Sequence, residues 1–221
     1  MNDMSTRLTF DEELSELSNA LIRMGALASE AISKAINALT NNDAQLANSV
    51  IAGDRDIDDM ERTIEHQCLT LLLRQQPVAG DLRKVSTAIK MITDIERIGD
   101  AAADIAELTI HARGTLPCLM QLRSMASAAK SMVEDAIKAY VNENLALAAE
   151  VIQRDDEVDD YFNTLKKDIA TEMAHTPDRL DSAIDALMVA KYLERLGDHA
   201  VNISEWVQFY KTGYHKNIKI V

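Results

Sequence analysis

Residues 94–104 read DIERIGDAAAD, and residues 192–202, near the other end of the chain, read YLERLGDHAVN. Both stretches contain the pattern Glu-Arg-(Ile or Leu)-Gly-Asp, which places a glutamate and an aspartate four positions apart. On a helix this spacing puts the two carboxylates on one face, one turn apart. Two such copies in one chain predict a helical unit that has been duplicated.

The composition predicts an all-α protein. The 221 residues include only seven Gly and three Pro, and hydrophobic residues make up 47% of the chain. This scarcity of helix breakers, together with frequent Ala, Leu, Ile, Glu, Asp and Lys, favours helices over strands. The first residues lack the basic and apolar regions of a signal peptide, and no apolar run approaches the roughly 18 residues of a membrane span. We therefore expect a cytoplasmic protein.

The charge balance limits the classes of partner. A net charge of −13 argues against direct binding of nucleic acid, because neutralising phosphates requires a basic surface. An acidic surface suits cations or a basic patch on another protein, and it also provides solubility alone. The sequence contains no phosphate-binding loop and no Ser/His/Asp constellation, so we expect the protein not to be an enzyme.

Apolar periodicity and capping signals predict three helices in the first half of the chain. The first helix is predicted to begin at the capping box Thr9–Glu12 and to end near Leu39. The second follows a cap at Asn42, and the third begins with Pro77 in its first turn and ends near His111.

The second half repeats this plan. Helices are predicted over about 118–141, 145–175 and 177–210, with Thr176 as the cap of the last and Pro177 at its first position. The break at residues 113–117 (RGTLP) separates the two halves. We therefore predict six long helices in two duplicated three-helix bundles, with domains at residues 1–113 and 114–221.

Acidic residues recur in matched register in the two halves. Asp54 and Asp58 return 101 positions later, and Glu96 and Asp100 return 98 positions later. We call Asp54, Asp58, Glu96 and Asp100 the first carboxylate site, and Asp155, Asp159, Glu194 and Asp198 the second carboxylate site. If the chain turns back near residues 76 and 176, each set lies at one level of a helical hairpin.

Three interpretations of these sites remain open at this point. Carboxylates without matching Cys or His suit hard cations such as Mg²⁺, Mn²⁺, Ca²⁺ or oxidised iron, and not zinc. Arg97 and Arg195 provide another way to compensate the negative charge, and a solvated acidic face is the third interpretation. Gly99 and Gly197 disfavour a helix by about 1 kcal/mol each, and we expect them to permit close approach by a backbone or a ligand.

The duplicated ERIGD and ERLGD motifs, the upstream Asp-rich pairs and the segment PVAGDLRKV (77–85) resemble the PhoU family over essentially the whole chain. The resemblance implies a cytoplasmic protein of two similar three-helix bundles that is commonly a homodimer. It also implies metal ions (Fe, Mn, Mg or Ca) on all eight residues of the two carboxylate sites. Asp104 has Asn202 as its counterpart, so the acidic residue of the third motif turn is not repeated in the second half.

The resemblance further implies an accessory protein of the Pst phosphate ABC transporter. Such a protein negatively regulates phosphate uptake and the phosphate-starvation response by linking the ATPase subunit of the transporter to the sensor histidine kinase. Its contact with the membrane would be indirect, through these partners. A metal-dependent phosphohydrolase and a metal-free helical scaffold remain as alternatives.

Overall fold

The computed structural model describes residues 2–75, 79–112, 116–216 and 218–220. Six long helices contain most of these residues: α1 (Asn2–Asn41), α2 (Ala44–Gln75), α3 (Ala79–His111), α4 (Leu119–Val141), α5 (Leu145–His175) and α6 (Leu180–Thr212). A short 3-10 helix (Pro177–Arg179) precedes α6, and strands β1 (Tyr214–His215) and β2 (Ile218–Lys219) pair antiparallel after it. The predicted all-α fold is confirmed.

The helices form two bundles, which pack against each other along one face. Helices α1, α2 and α3 pack on one another as the first bundle, and α4, α5 and α6 do so as the second. The bundles meet where α3 packs on α6 and α1 packs on α4. Their centres are filled by fully buried aliphatic side chains, among them Leu17, Ile92 and Leu196. The boundary at 113/114 falls at residues 113–115, outside the described residues, and stays a prediction.

Two of the predicted helix starts are wrong. Helix α1 begins at Asn2, so the capping box at Thr9–Glu12 lies inside it, because the residues before the box already have helical geometry. Asn42 does not cap α2, since its φ of 52° places it in the left-handed region. Asp43 is the cap instead, and its side chain accepts a hydrogen bond from the backbone N of Leu46 at 2.9 Å.

The starts of α5 and α6 differ in how they are stabilised. The predicted bounds of α5 are confirmed, and the Asn144 side chain accepts hydrogen bonds from the backbone N of Ala146 and Leu147. Thr176 makes no side-chain capping bond. Pro177 does occupy the first position of the 3-10 helix, where a backbone N–H would have no partner within the helix, so the missing N–H of proline is not a disadvantage. The predicted role of Pro77 lies outside the described residues.

Helices α3 and α6 run antiparallel where the bundles meet. Near one end of the contact, Arg83 Nε donates a hydrogen bond to the carbonyl oxygen of Tyr210 at 3.1 Å. Further along, Asn202 Nδ2 donates to Asp94 at 3.1 Å. Across the described ranges, no helix combines the length and apolar character that crossing a membrane requires.

Candidate metal centre

Three carboxylates of the first carboxylate site converge between α2 and α3. Asp54 and Asp58 lie one turn apart on α2, and Asp100 reaches them from α3. Each offers one oxygen, and these three oxygens lie within 4.8 Å of one another. This is the level at which the helical hairpin was predicted to bring them together, and carboxylate oxygens so placed can share a hard cation.

Asp54 is the most constrained member of this group. Its Oδ1 is buried and has no hydrogen-bond partner among the described residues. Burial raises the pKa of Asp54 to about 6, and the neighbouring carboxylates of Asp100, Asp58 and Asp104 add to the rise. A buried, unpaired carboxylate oxygen is unfavourable unless a proton or a cation satisfies it. The first carboxylate site therefore fits a hard cation.

Gly99 explains how α3 comes so close to these side chains. A Cβ at Gly99 would lie 2.8 Å from Ile57 Cδ1 and 3.2 Å from Asp54 Oδ1. The second bundle repeats the arrangement, since a Cβ at Gly197 would lie 3.2 Å from Asp155 Oδ1. The glycine between each pair of acidic residues thus leaves room for a carboxylate of the neighbouring helix.

Glu96 lies beside the three convergent carboxylates and not among them. Burial raises the pKa of Glu96 to about 7, Asp100, Glu61 and Asp58 raise it further, and Arg97 lowers it. The contribution of Glu61 was missed at the sequence level. Its position three residues after Asp58, on the same helical face, is the signal that could have indicated it.

The arginines do not neutralise the first carboxylate site. The Asp100 residue is exposed overall, but its carboxyl group is partly desolvated. This desolvation and the carboxylates of Asp58 and Asp104 raise the pKa of Asp100. Arg97 and Arg195 act in the opposite direction without reversing the rise. Both arginines line a groove of about 680 Å³ between α3 and α6, and Asp100 and Asp104 line the same groove.

The second carboxylate site is less convergent. Burial raises the pKa of Asp155 to about 6, with further contributions from Asp159, Asp198, Asp156 and Glu194, so these groups do lie near one another. Within the part of the chain that the structure describes, however, no three acidic, His or Cys side chains of this bundle converge as Asp54, Asp58 and Asp100 do. Glu194 instead accepts a hydrogen bond from Lys191.

Each half of the chain matches the same family model, described as the PhoU domain, over residues 21–109 and again over residues 122–207. The chain belongs to the PhoU family. A PhoU homolog from Clostridium acetobutylicum, named as a phosphate-specific transport system accessory protein, is 37% identical over 211 residues, which cover 94% of this chain and 96% of that protein.

Solved PhoU structures share the whole fold. The crystal structure of PhoU from Pseudomonas aeruginosa superposes with a TM-score of 0.88 at 33% identity, over 93% of this chain and 100% of that one. The phosphate transport system regulatory protein PhoU from Streptococcus pneumoniae gives a TM-score of 0.89 at 30% identity, over 95% and 100% of the two chains.

A further polar contact of this PhoU chain joins its two bundles. Asp94 is buried, and its Oδ1 lies 2.9 Å from His199 Nδ1 and 3.1 Å from Asn202 Nδ2. His199 has Ala101 at the equivalent position, so the repeat gave no reason to assign it a partner. The pKa of Tyr192 is raised by burial and by the nearby carboxylate of Asp104, so a second pair of polar groups lies between α3 and α6.

Proposed function

We propose that this protein is an accessory protein of a phosphate-specific transport system and restrains phosphate uptake and the phosphate-starvation response. The observation that carries the proposal is the pair of PhoU domains matched over residues 21–109 and 122–207, in a chain whose relatives bear that name. In this proposal the protein is a cytoplasmic regulator and not an enzyme.

The proposed mechanism is that of an adaptor. The two bundles consist of helices 23 to 40 residues long, and the chain carries a net charge of −13, so the protein has a predominantly acidic surface. Such a surface suits basic patches on other proteins. We assign these partners as the ATPase subunit of the transporter and the sensor histidine kinase of the phosphate two-component system, with the protein acting as a homodimer.

The proposed role of a metal is to organise the acidic surface. Asp54, Asp58, Glu96 and Asp100 would hold a hard ion (Fe, Mn, Mg or Ca) in the first bundle, and Asp155, Asp159, Glu194 and Asp198 in the second. When bound, the ion supplies positive charge that compensates the clustered carboxylates. The residues of the first site would then link α2 to α3 through the ion, and the two helices would keep a fixed relative position when a partner binds.

A deletion strain tests the regulatory role. In high phosphate, a strain that lacks this protein should express a phosphate-starvation reporter, and the wild-type gene should restore repression. A strain that keeps normal repression without the protein would refute the proposal. Complementation by Asp54→Asn tests whether the carboxylate site takes part, with Asp160→Asn, an exposed residue outside the site, as the matched control.

The enzyme alternative has a direct test. If the carboxylates act in metal-dependent hydrolysis, protein loaded with Mn²⁺ should turn over phosphate esters, and Glu96→Gln with Glu194→Gln should abolish that turnover. We expect no turnover above that of Mn²⁺ alone. Turnover that these two substitutions remove would replace the adaptor proposal.

A further inference from the structure

The two carboxylate sites differ in the charged residues around them. Aligning the sequence of α3 with that of α6 places Thr93 opposite Lys191. Aligning α2 with α5 places Glu61 opposite Phe162. Asp104, which acts on Asp54 and Asp100, aligns with Asn202. Each of these exchanges makes the surroundings of the second site less negative by one charge.

Lys191 is held over the second site by contacts from both helices of its hairpin. Its Nζ donates a hydrogen bond to Glu194, three residues along the same helix. The same Nζ lies 5.5 Å from the centre of the Phe162 ring, which belongs to α5. Phe162 follows Asp159 by three residues, so the ammonium group spans the hairpin at the level of the acidic residues. The first bundle has a hydroxyl and a carboxylate at the two matching positions.

Two exchanges act in the opposite direction, and both are at the surface. Arg55 aligns with Asp156, and both residues are exposed. Arg62 aligns with Asn163, and its guanidinium contacts Asp59 at 2.9 Å and Asp58 at 3.4 Å. The Arg62 side chain is 68% exposed, and solvent-exposed pairs of this kind contribute little. The pair of Lys191 and Glu194 is less exposed, at 47% and 15%, than the pair of Arg62 and Asp58, at 68% and 32%.

We infer that Lys191 is a built-in counter-ion of the second carboxylate site, so that the protein loads metal asymmetrically, the first bundle ahead of the second. This inference rests on the proposed binding of metal. An incoming cation must displace the ammonium group from Glu194 and then remain close to its charge. The corresponding position in the first bundle carries the uncharged Thr93, and Glu61 adds a carboxylate near Glu96. We expect the second site to bind a divalent ion at least about tenfold more weakly.

Titration of the full-length, chelator-treated protein with Mn²⁺ tests the inference. Wild-type protein should show two classes of site, with dissociation constants separated by at least about tenfold. Asp100→Asn should remove the tight class and Asp198→Asn the weak class. Lys191→Thr, which installs the residue of the first bundle, should strengthen the weak class and narrow the separation between the two classes. The reciprocal Thr93→Lys should weaken the tight class by a similar factor. Circular dichroism establishes that each variant keeps its helical content.

The outcomes separate this inference from the proposal on which it rests. If wild-type protein binds Mn²⁺ equally in both bundles, or if Lys191→Thr leaves the weak class unchanged, Lys191 is not a counter-ion that limits loading, and metal binding itself stands. If neither wild-type protein nor any variant binds Mn²⁺ at millimolar concentration, the metal sites and this inference fail together. A folded Thr93→Lys variant with an unchanged tight class would also overturn the inference.

Discussion

Asp54 shows how neighbouring residues determine the state of a single side chain in this fold. Its carboxylate is half-buried between α2 and α3, and oxygens of Asp100 and Asp58, which are also acidic, lie within 4.8 Å of it. Burial and like charge both disfavour the ionised form, so the folded protein binds a proton here more tightly than the unfolded chain does. Asp155 has the same property in the second bundle, where burial again raises its pKa to about 6.

This predicts that the metal-free protein loses stability as the pH rises. The pKa of Asp54 is raised from 3.8 to about 6 and that of Glu96 from 4.5 to about 7. A carboxyl group whose pKa is higher in the folded protein than in the unfolded chain stabilises the fold fully at a pH below the unfolded pKa. This stabilisation is lost as the pH rises through the folded pKa. After allowance for solvent screening, we expect the Tm of chelator-treated protein to be about 4 °C lower at pH 8 than at pH 5.

Two further measurements of Tm make this prediction specific. Asp54→Asn, which cannot ionise, should reduce the difference between pH 5 and pH 8. Added Mn²⁺ should raise the Tm at pH 8 far more than at pH 5, because cations and protons compete for the same oxygens. A Tm of the metal-free protein that increases from pH 5 to pH 8 would contradict the assignment of raised pKa values.

Gly99→Ala tests the close approach of α3 to the carboxylates. Alanine ordinarily stabilises a helix by about 1 kcal/mol relative to glycine. Here the new methyl group would lie 2.8 Å from Ile57 Cδ1, and Ile57 is buried, so we expect a net destabilisation of about 1 kcal/mol. Gly53→Ala on α2 is the matched control, since nothing lies within 4 Å of its added Cβ. It should increase the free energy of unfolding by about 0.5–1 kcal/mol in urea denaturation.

At the scale of helices, the sequence predicted some helix ends correctly and others wrongly. The bounds of α5 and the end of α3 at His111 match their predictions, because apolar periodicity and turn residues both determine them. The start of α1 was wrong because a capping box favours an N-terminus only where the preceding backbone is not helical. The cap of α2 shifted from Asn42 to Asp43, a difference that depends on backbone dihedrals and not on residue type.

Asn144 and Thr176 provide a test of capping by two residues that both fit the sequence pattern. The Asn144 side chain accepts two backbone hydrogen bonds at the start of α5, each at 3.1 Å. Thr176 makes no such bond. Asn144→Ala should therefore lower the free energy of unfolding by about 1 kcal/mol, whereas Thr176→Ala should change it by less than about 0.5 kcal/mol in urea denaturation. Equal effects would show that the cap of α5 has no special role.

At the scale of the whole molecule, the register of the two helical hairpins could be predicted, and the contact between bundles could not. Each hairpin joins neighbouring helices by a short turn, so residue numbers alone place Asp54 level with Gly99. The pairing of Asp94 with His199 and Asn202 joins positions more than 100 residues apart, which are not equivalent in the two copies of the repeated stretch. Only the packing of α3 on α6 brings them together.

Asp94→Ala should weaken the connection between the bundles. The substitution removes an acceptor from His199 and Asn202, both of which lie in a largely buried contact, and we expect a loss of about 2 kcal/mol in the free energy of unfolding. Asp160→Ala, at an exposed position, should change it by less than about 0.5 kcal/mol. Urea denaturation followed by circular dichroism measures both. An Asp94→Ala variant as stable as Asp160→Ala would show that the contact contributes nothing.

The contact between α3 and α6 also bears on how the two halves were able to diverge. The repeat makes two pairs of residues across this contact equivalent, Asp94 with Asn202 and Tyr192 with Asp104, as in an isologous dimer interface. In a dimer of identical subunits, one mutation alters both halves at once. Joining both halves in one polypeptide removes that constraint, so Lys191 can be selected in one copy while Thr93 is retained in the other. Covalent fusion thereby allows the two carboxylate sites to carry different charged neighbours.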